Sequence, residues 1–525
     1  MGATLQIVEP QRTAGAPFLF FLLSLMLMFV VTTVPLTRFY GEPPVAGNIR
    51  DRCQTRSWNV TALHKSAIFV GNGAPWWVME DLTASSLRFA ACPFDPPYIG
   101  QGWRAVAGRL ASSPPRLKLV VFGGSETSGA DCHAPDGRTN KACSWPARLG
   151  VLLGHLLPGT AVQTLNFALG GTTSSAALPI LPLALREHTD ADIVAFDFLV
   201  NDAVSQNAAT LVAHEALISA ARRAAPEAML MLINACGLEE CASYELLLQQ
   251  VAGRHSLAVV SYRGFLVVRA QVLKLDLSAT VKELFASGAG ARTHPAWYVH
   301  HAIAALAAAC FADRLDAIFD ASCVPVGVAP AAQSFSPPEQ LNAVMPCATN
   351  ATDYVATVAA LSPGGSFYGV VSDGWRLFED RPNKPGWIAE RDGARLAFEL
   401  RFGAAPRIVF SVLRSYTGLG NVLMTFDDNI DPLLPRCKTV PERQILIPGL
   451  YTPEDAEWGL NHSTSTAFFW EVWGSGWDDA HKGLGGNRRF NILPFSKRNV
   501  TFEACSASDN DAVSFKFKLI SVAAC

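Results

Sequence analysis

From Arg116 to about Asp313, short apolar runs alternate with longer stretches of helical period. The runs at 117–123 (LKLVVFG), 161–169 (AVQTLNFAL), 191–200 (ADIVAFDFLV), 228–235 (AMLMLINA) and 256–262 (SLAVVSY) are largely apolar along their length. That texture suits strands buried on both faces, as in a parallel sheet covered by helices. The stretches between them predict helices at 144–156, 207–224, 241–253, 264–274 and 296–311. This alternation predicts a three-layer α/β/α sandwich of flavodoxin-like type over 116–313, with its functional groups gathered at the carboxyl ends of the strands.

The texture changes beyond residue 339. SFYGVVSD, ARLAFELRF, PRIVFSVLRSY, NVLMTFDD, STAFFWEVW, VTFEACSA and VSFKFKLISV show a period of two with Gly, Asn and Asp between them. An antiparallel β-sandwich over 339–525 follows from that period. The proline-rich VPVGVAPAAQSFSPP marks a linker at 324–338. Residues 37–115 read as a stem or lead-in whose pattern assigns no element, Trp76 and Trp77 included.

The N-terminus carries a different signal. After a short tail (1–15), residues 16–36 form an uncharged apolar run, APFLFFLLSLMLMFVVTTVPL. About 20 such residues suffice for a membrane-spanning helix. No A-x-A cleavage site follows, so an uncleaved signal anchor is the expectation. All 12 cysteines and the sequons at Asn59, Asn350, Asn461 and Asn499 lie beyond this run. They point to a single-pass membrane protein whose bulk is lumenal, in the secretory pathway or Golgi, or extracellular. Two local disulfides are expected, Cys132 with Cys143 and Cys236 with Cys241.

Composition narrows the classes further. Half of the 525 residues are hydrophobic and 17% are charged, which suits buried cores. A net charge of -3 carries no nucleic-acid footprint. No cysteine or histidine spacing indicates a metal and no phosphate-binding loop indicates a nucleotide, so neither metal nor cofactor is expected.

Four patches in order carry the chemistry: VVFGGSETSG around Ser125, NFALGGTTS around Gly171, FLVNDA around Asn201 and THPAWYVHH around His294. Acyl transfer needs a nucleophile, oxyanion donors and a base, and these patches could supply each. The set resembles the four blocks of the SGNH hydrolases, the GDSL esterase and lipase superfamily. The resemblance covers roughly 116–313 and implies Ser125 as nucleophile. It further implies Ser125, Gly171 (counted from Asn166) and Asn201 as the oxyanion hole, and His294, followed by Pro295, as base. His300 and His301 lie further into the predicted helix, where packing or surface roles are commoner.

Three positions depart from the family pattern. Gly124 stands where the family has an aspartate, Leu199–Val200–Asn201–Asp202 lacks its glycine, and Ala291 occupies the place of the family's acid before His294. A Ser125–His294 dyad is therefore expected, with His294 oriented by a backbone carbonyl or by a carboxylate from elsewhere, or else a slow or dead enzyme.

The expected function is a serine esterase that removes acyl groups, acetyl included, from a glycan. The same site would serve an O-acyltransferase, and Gly124 with Ala291 keeps open an inactive glycan-binding glycoprotein. Asp197 and Asp202 flank a strand end without the second acid that glycoside hydrolysis needs. In the sandwich, Trp375, Trp387, Trp470 and Trp473 are candidates for carbohydrate contact, with core packing the commoner role.

Overall fold

The computed structural model describes residues 101–323, apart from 111–113, 204–207, 237–240, 282–293 and a few single positions. Within 353–524 it describes the strands given below and some of their turns. Strand β1 (Arg116–Gly123) pairs in parallel with β2 (Ala161–Asn166) on one side and β3 (Ile193–Asp197) on the other. With β4 (Met229–Asn234) and β5 (Ala258–Ser261) they form a five-stranded sheet in the order β2-β1-β3-β4-β5.

Each central strand is apolar on both sides because both faces are covered. Leu117, Leu119 and Val121 join Ile193, Ala195, Met229, Met231 and Ile233 on one face. Val120 and Phe122 join Val194, Phe196, Leu230, Leu232 and Val259 on the other. The first face lies under helices Gln101–Leu110, Trp145–Leu156, Tyr262–Leu273 and Trp297–Cys323. Ser174–Ala177, Ile180–Arg186, Ala208–Ala224 and Ala242–His255 cover the second. Burial of one such Leu, Val or Phe contributes roughly 1.5–3 kcal/mol, so the three layers hold each other in place.

The strands lie where the pattern places them, β2 to β5 each shorter than its apolar run, and short helices such as Ser174–Ala177, Ile180–Arg186 and Leu199–Ala203 are added between them. β2 stops at Asn166 and β3 at Asp197 because the chain turns there into loops that carry functional residues. Helix Gln101–Leu110 lies in the stretch whose pattern assigned no element, and it buries Trp103, Val106 and Leu110 in the first core. The last helix runs on to Cys323 because no breaker interrupts its alanine-rich sequence. Ala302, Ala304, Ala305, Ala307, Ala308 and Ala309 are all buried, and their small size lets this helix come close to its neighbours.

The C-terminal strands form two antiparallel sheets. One is ordered β13 (Gln444–Pro448), β12 (Asn421–Phe426), β15 (Lys497–Cys505), β10 (Arg395–Arg401), β7 (Val371–Asp373). The other runs β14 (Thr464–Glu471), β11 (Arg407–Arg414), β16 (Phe517–Ala524), β9 (Pro385–Ala389), β8 (Trp375–Glu379), with β6 (Asp353–Ala356) also paired to β16. Inward residues of both sheets share one core, and Phe410 meets Phe502 across it at 5.9 Å between ring centroids. Trp375 and Trp387 are buried in this core, so they pack rather than meet a carbohydrate. Edge strand β14 runs alongside the Ser174–Ala177 helix.

Two disulfides join Cys132 to Cys143 and Cys236 to Cys241, the local pairs expected from spacing. Asn499 is exposed on β15, a setting open to a glycan. Among the described residues no helix is long and apolar enough to cross a membrane. The 16–36 run, the 324–338 linker, Asn59, Asn350, Asn461, Trp76, Trp77, Trp473 and Ala291 lie outside the described residues.

Candidate active site

β1 delivers Ser125 to the carboxyl edge of the sheet. The strand ends at Gly123, Gly124 stays extended (φ -90°, ψ -153°), and Ser125 opens the short helix Ser125–Ser128. The Gly124 N–H donates to the Asp197 carbonyl at the end of β3 (3.1 Å), which pins the turn to the neighbouring strand. Asp197 itself is buried. Its carboxyl accepts from the Thr127 hydroxyl (2.6 Å) and the Trp145 indole N–H (3.1 Å), and burial pushes its pKa up to about 6. It braces the Ser125–Ser128 helix through Thr127.

Gly124 has a steric reason. A Cβ at this position would stand 2.2 Å from Nδ2 of Asn201, so the aspartate of the family pattern is incompatible with the placement of Asn201 seen here. Because the obstructed atom is the end of a side chain, Gly124→Ala should leave the fold intact and displace the amide. Loss of one oxyanion donor lowers kcat by about 10²–10³, and that is the expected fall for Gly124→Ala on an activated ester. Unchanged kcat would contradict this placement of Asn201.

The residues expected to form an oxyanion hole are stitched together across β2 and β3. Gly171 has φ +77°, a conformation that favours glycine, and the next residue closes a turn through its N–H to the Leu169 carbonyl (3.1 Å). Asn201 is buried in the short helix Leu199–Ala203 and donates through Nδ2 to the Thr172 carbonyl (2.9 Å). An amide NH₂ carries two hydrogens, so one such bond does not exhaust it. Asp202 accepts from the Ser174 N–H (3.0 Å), and its second oxygen lies 3.3 Å from Nδ1 of the buried His214. Asn166 adds a third stitch, since its amide donates to the Thr127 carbonyl (2.8 Å) and its oxygen accepts from the Ala168 N–H (3.0 Å). Ser125, Gly171 and Asn201 thus lie on turns held to one another by named bonds.

His294 meets a carboxylate from another part of the chain. Nδ1 of His294 lies 2.7 Å from Oδ2 of Asp131, a residue 163 positions earlier on the loop that follows the nucleophile helix. An ionised carboxylate only accepts, so this contact places the proton on Nδ1 and leaves Nε2 as the basic nitrogen. Of the two means expected for orienting His294, a backbone carbonyl or a carboxylate from elsewhere, a carboxylate is the one present, and it lies on the loop after the Ser125–Ser128 helix. Asp131 gave no sequence signal beyond its place between the serine and Cys132, because the chain separation hides the contact. The side chains of His294 and Asp131 are 20% and 48% exposed, so the pair faces solvent.

The competing histidines are excluded by burial. His300 and His301 lie inside the long helix, and desolvation depresses their pKa values to about 3 and about 4. They remain neutral packing groups at neutral pH. Among the described residues no cluster of three or more His, Cys, Asp or Glu is placed to hold a metal ion.

Glu126, directly after the serine, is buried with neither carboxyl oxygen hydrogen-bonded. Burial first, and the charge of Asp197 second, raise its pKa well above the usual carboxylate value. A carboxyl with a raised folded-state pKa keeps its proton where the unfolded chain releases it, so stability is full at acid pH and declines as pH rises. Asp197, raised to about 6, and Asp202, raised to about 8, act in the same direction. The buried His300 and His301, with depressed pKa values, act in the opposite direction until the unfolded-state histidines have lost their protons at about pH 7. Urea midpoints should therefore fall from about pH 7.5 to about pH 9, where only the carboxyls contribute, and Glu126→Gln should reduce that slope; an unaltered slope would contradict a protonated Glu126.

No family model matches the chain, and neither does any curated protein. Among solved structures it is similar to a two-domain esterase active on acetylated mannans, at 16% identity and a TM-score of 0.48, covering 80% of this chain and 92% of that chain. A mutant acetyl-xylooligosaccharide esterase from Geobacillus is 19% identical, with a TM-score of 0.28, covering 36% of this chain and 91% of its own. A putative lipolytic protein of the G-D-S-L family from Desulfitobacterium hafniense is 18% identical with a TM-score of 0.25, covering 37% and 98%. Such identities concern the fold alone.

Proposed function

We propose that this chain is a serine esterase of the SGNH type, with Ser125 as nucleophile, His294 as base and Asp131 as the acid that orients the base. The observation that supports this reading best is the His294–Asp131 contact, which gives the base the acid partner such a site needs. Nε2 of His294 takes the Ser125 hydroxyl proton as Oγ attacks the ester carbonyl, and Asp131 stabilises the imidazolium that forms. The oxyanion is received by the N–H groups of Ser125 and Gly171 and the Asn201 amide, each donor contributing about 2.7–4 kcal/mol to the transition state. The imidazolium returns its proton to the leaving alcohol, and a water activated by the same nitrogen then releases the acyl group as an acid.

The substrate class we favour is a short acyl ester, acetyl foremost, on a glycan. The Asn201 amide and the Thr172 carbonyl lie against Gly124, directly before the serine, and the half-exposed acid leaves the base side of the site open to a large polar substrate. Membrane anchoring through 16–36 with a lumenal or extracellular body belongs to the same proposal. The two disulfides and the exposed sequon at Asn499 support it.

The purified protein should release acetate from an acetylated oligosaccharide with a kcat/KM well above that for the activated aryl ester p-nitrophenyl acetate. With a deacetylated glycan added to the p-nitrophenyl acetate reaction, the acetyl group should still appear as acetate. Acetyl recovered on the glycan would establish the transferase instead, and no release from either ester would contradict both.

A further inference from the structure

We propose that the Cys132–Cys143 disulfide, braced by the Arg148 guanidinium, is the positioning device that holds Asp131 against His294, so that the site reaches its full rate only where this bridge is oxidised. The inference rests on the hydrolase reading above and adds to it a dependence on the redox state of the compartment.

Asp131 is poorly held by its own packing. About half of its side chain is exposed, and its backbone lies in the left-handed region at φ +58°. That conformation is uncommon for a residue other than glycine and persists where the surroundings impose it. The surroundings act from both sides. Toward the nucleophile, Gly129 is itself left-handed, the Ala130 N–H donates to the Ser125 carbonyl (2.9 Å), and the Cys132 N–H donates to the Gly129 carbonyl (3.0 Å). On the other side stands Cys132, fully buried, its carbonyl accepting from the Asn140 N–H (3.0 Å) and its sulfur bonded to Cys143, with the two Cα atoms 5.7 Å apart.

Cys143 is tied in turn to the element that leads to the base. Its carbonyl accepts from Nε of Arg148 (2.7 Å), a fully buried residue of helix Trp145–Leu156. The guanidinium carbon of Arg148 lies 5.6 Å from the ring centroid of Trp297, which opens the long helix three residues after His294. The path Asp131, Cys132, Cys143, Arg148, Trp297, His294 therefore closes a ring in which the carboxylate–imidazole bond is one link. Opening the ring at the disulfide leaves Asp131 held on its far side only by backbone bonds, the Asn140 N–H to the Cys132 carbonyl and the His133–Thr139 bridge, so the solvent-facing acid can shift away from the histidine.

A double-mutant cycle separates positioning from mere stability. Cys132→Ser/Cys143→Ser is made with Asp131 present and again with Asp131→Asn, and kcat is measured on p-nitrophenyl acetate. A misplacement of about 1 Å costs up to about 10²-fold in rate, so the serine pair should lower kcat ten- to a hundredfold with Asp131 present. In the Asp131→Asn background its effect should fall below twofold. Equal losses in both backgrounds, or no loss with Asp131 present, would overturn the proposal. If the serine pair does not fold, Arg148→Met keeps the disulfide and runs the same cycle with the same expected and overturning results. A wild-type protein that turns over no ester removes the hydrolase reading, and this inference with it, and is recognised because no background is active.

Discussion

Ser125→Ala is expected to lower kcat on p-nitrophenyl acetate by about 10⁶-fold while leaving the urea midpoint nearly unchanged. The size of the effect follows from the loss of the covalent route. Without Oγ there is no acyl-enzyme, and only the oxyanion donors remain to accelerate attack by water. The fold should tolerate the change because the hydroxyl is not among the bonds that hold the turn together; those run through the Gly124 N–H, the Ser128 N–H and the Thr127 hydroxyl. A Ser125→Ala protein that still turned over at a tenth of the wild-type rate would place the nucleophile elsewhere.

Asp131→Asn is expected to cost about 10²–10⁴ in kcat with little change in KM. The amide presents either a donor or a weak acceptor to Nδ1, so the tautomer with a basic Nε2 is no longer favoured and the imidazolium loses its counter-charge. The exposure of Asp131 places the expected loss toward the lower end, since water can partly replace the carboxylate. Steady-state kinetics on a soluble ester measures it directly. A loss below threefold would mean that the carboxylate at His294 is incidental, and the Ser125–His294 dyad of the sequence reading would stand again.

Much of this molecule was legible in the chain because burial writes a period into it. Runs such as LKLVVFG are apolar on both faces since helices cover both, and the five strands lie where those runs predicted them. Ser125, Gly171 and Asn201 were readable because each follows a strand end, where the turn keeps small or polar residues. What stayed hidden depends on contacts between distant segments. Asp131 carries no periodicity and meets His294 across 163 positions. Gly124 looked like a departure from a pattern until the Asn201 amide was seen to fill the space of its missing side chain. Helix Gln101–Leu110 does carry a stripe, Trp103, Val106, Ala107 and Leu110 at helical spacing, but it is only ten residues long and lies between proline- and glycine-containing flanks, so it stood out little from the lead-in. His300 and His301 could be ranked below His294 by position alone, but only their burial removes them as bases.

The central claim is that Ser125 is a nucleophile activated by His294, and covalent trapping tests it most directly. The protein is incubated with a fluorophosphonate and its digest read by mass spectrometry. The phosphonyl adduct should sit on the peptide holding Ser125, appear in wild type, be lost in Ser125→Ala and form far more slowly in His294→Ala. An adduct on another residue, or none on a protein that hydrolyses p-nitrophenyl acetate, would contradict the assignment.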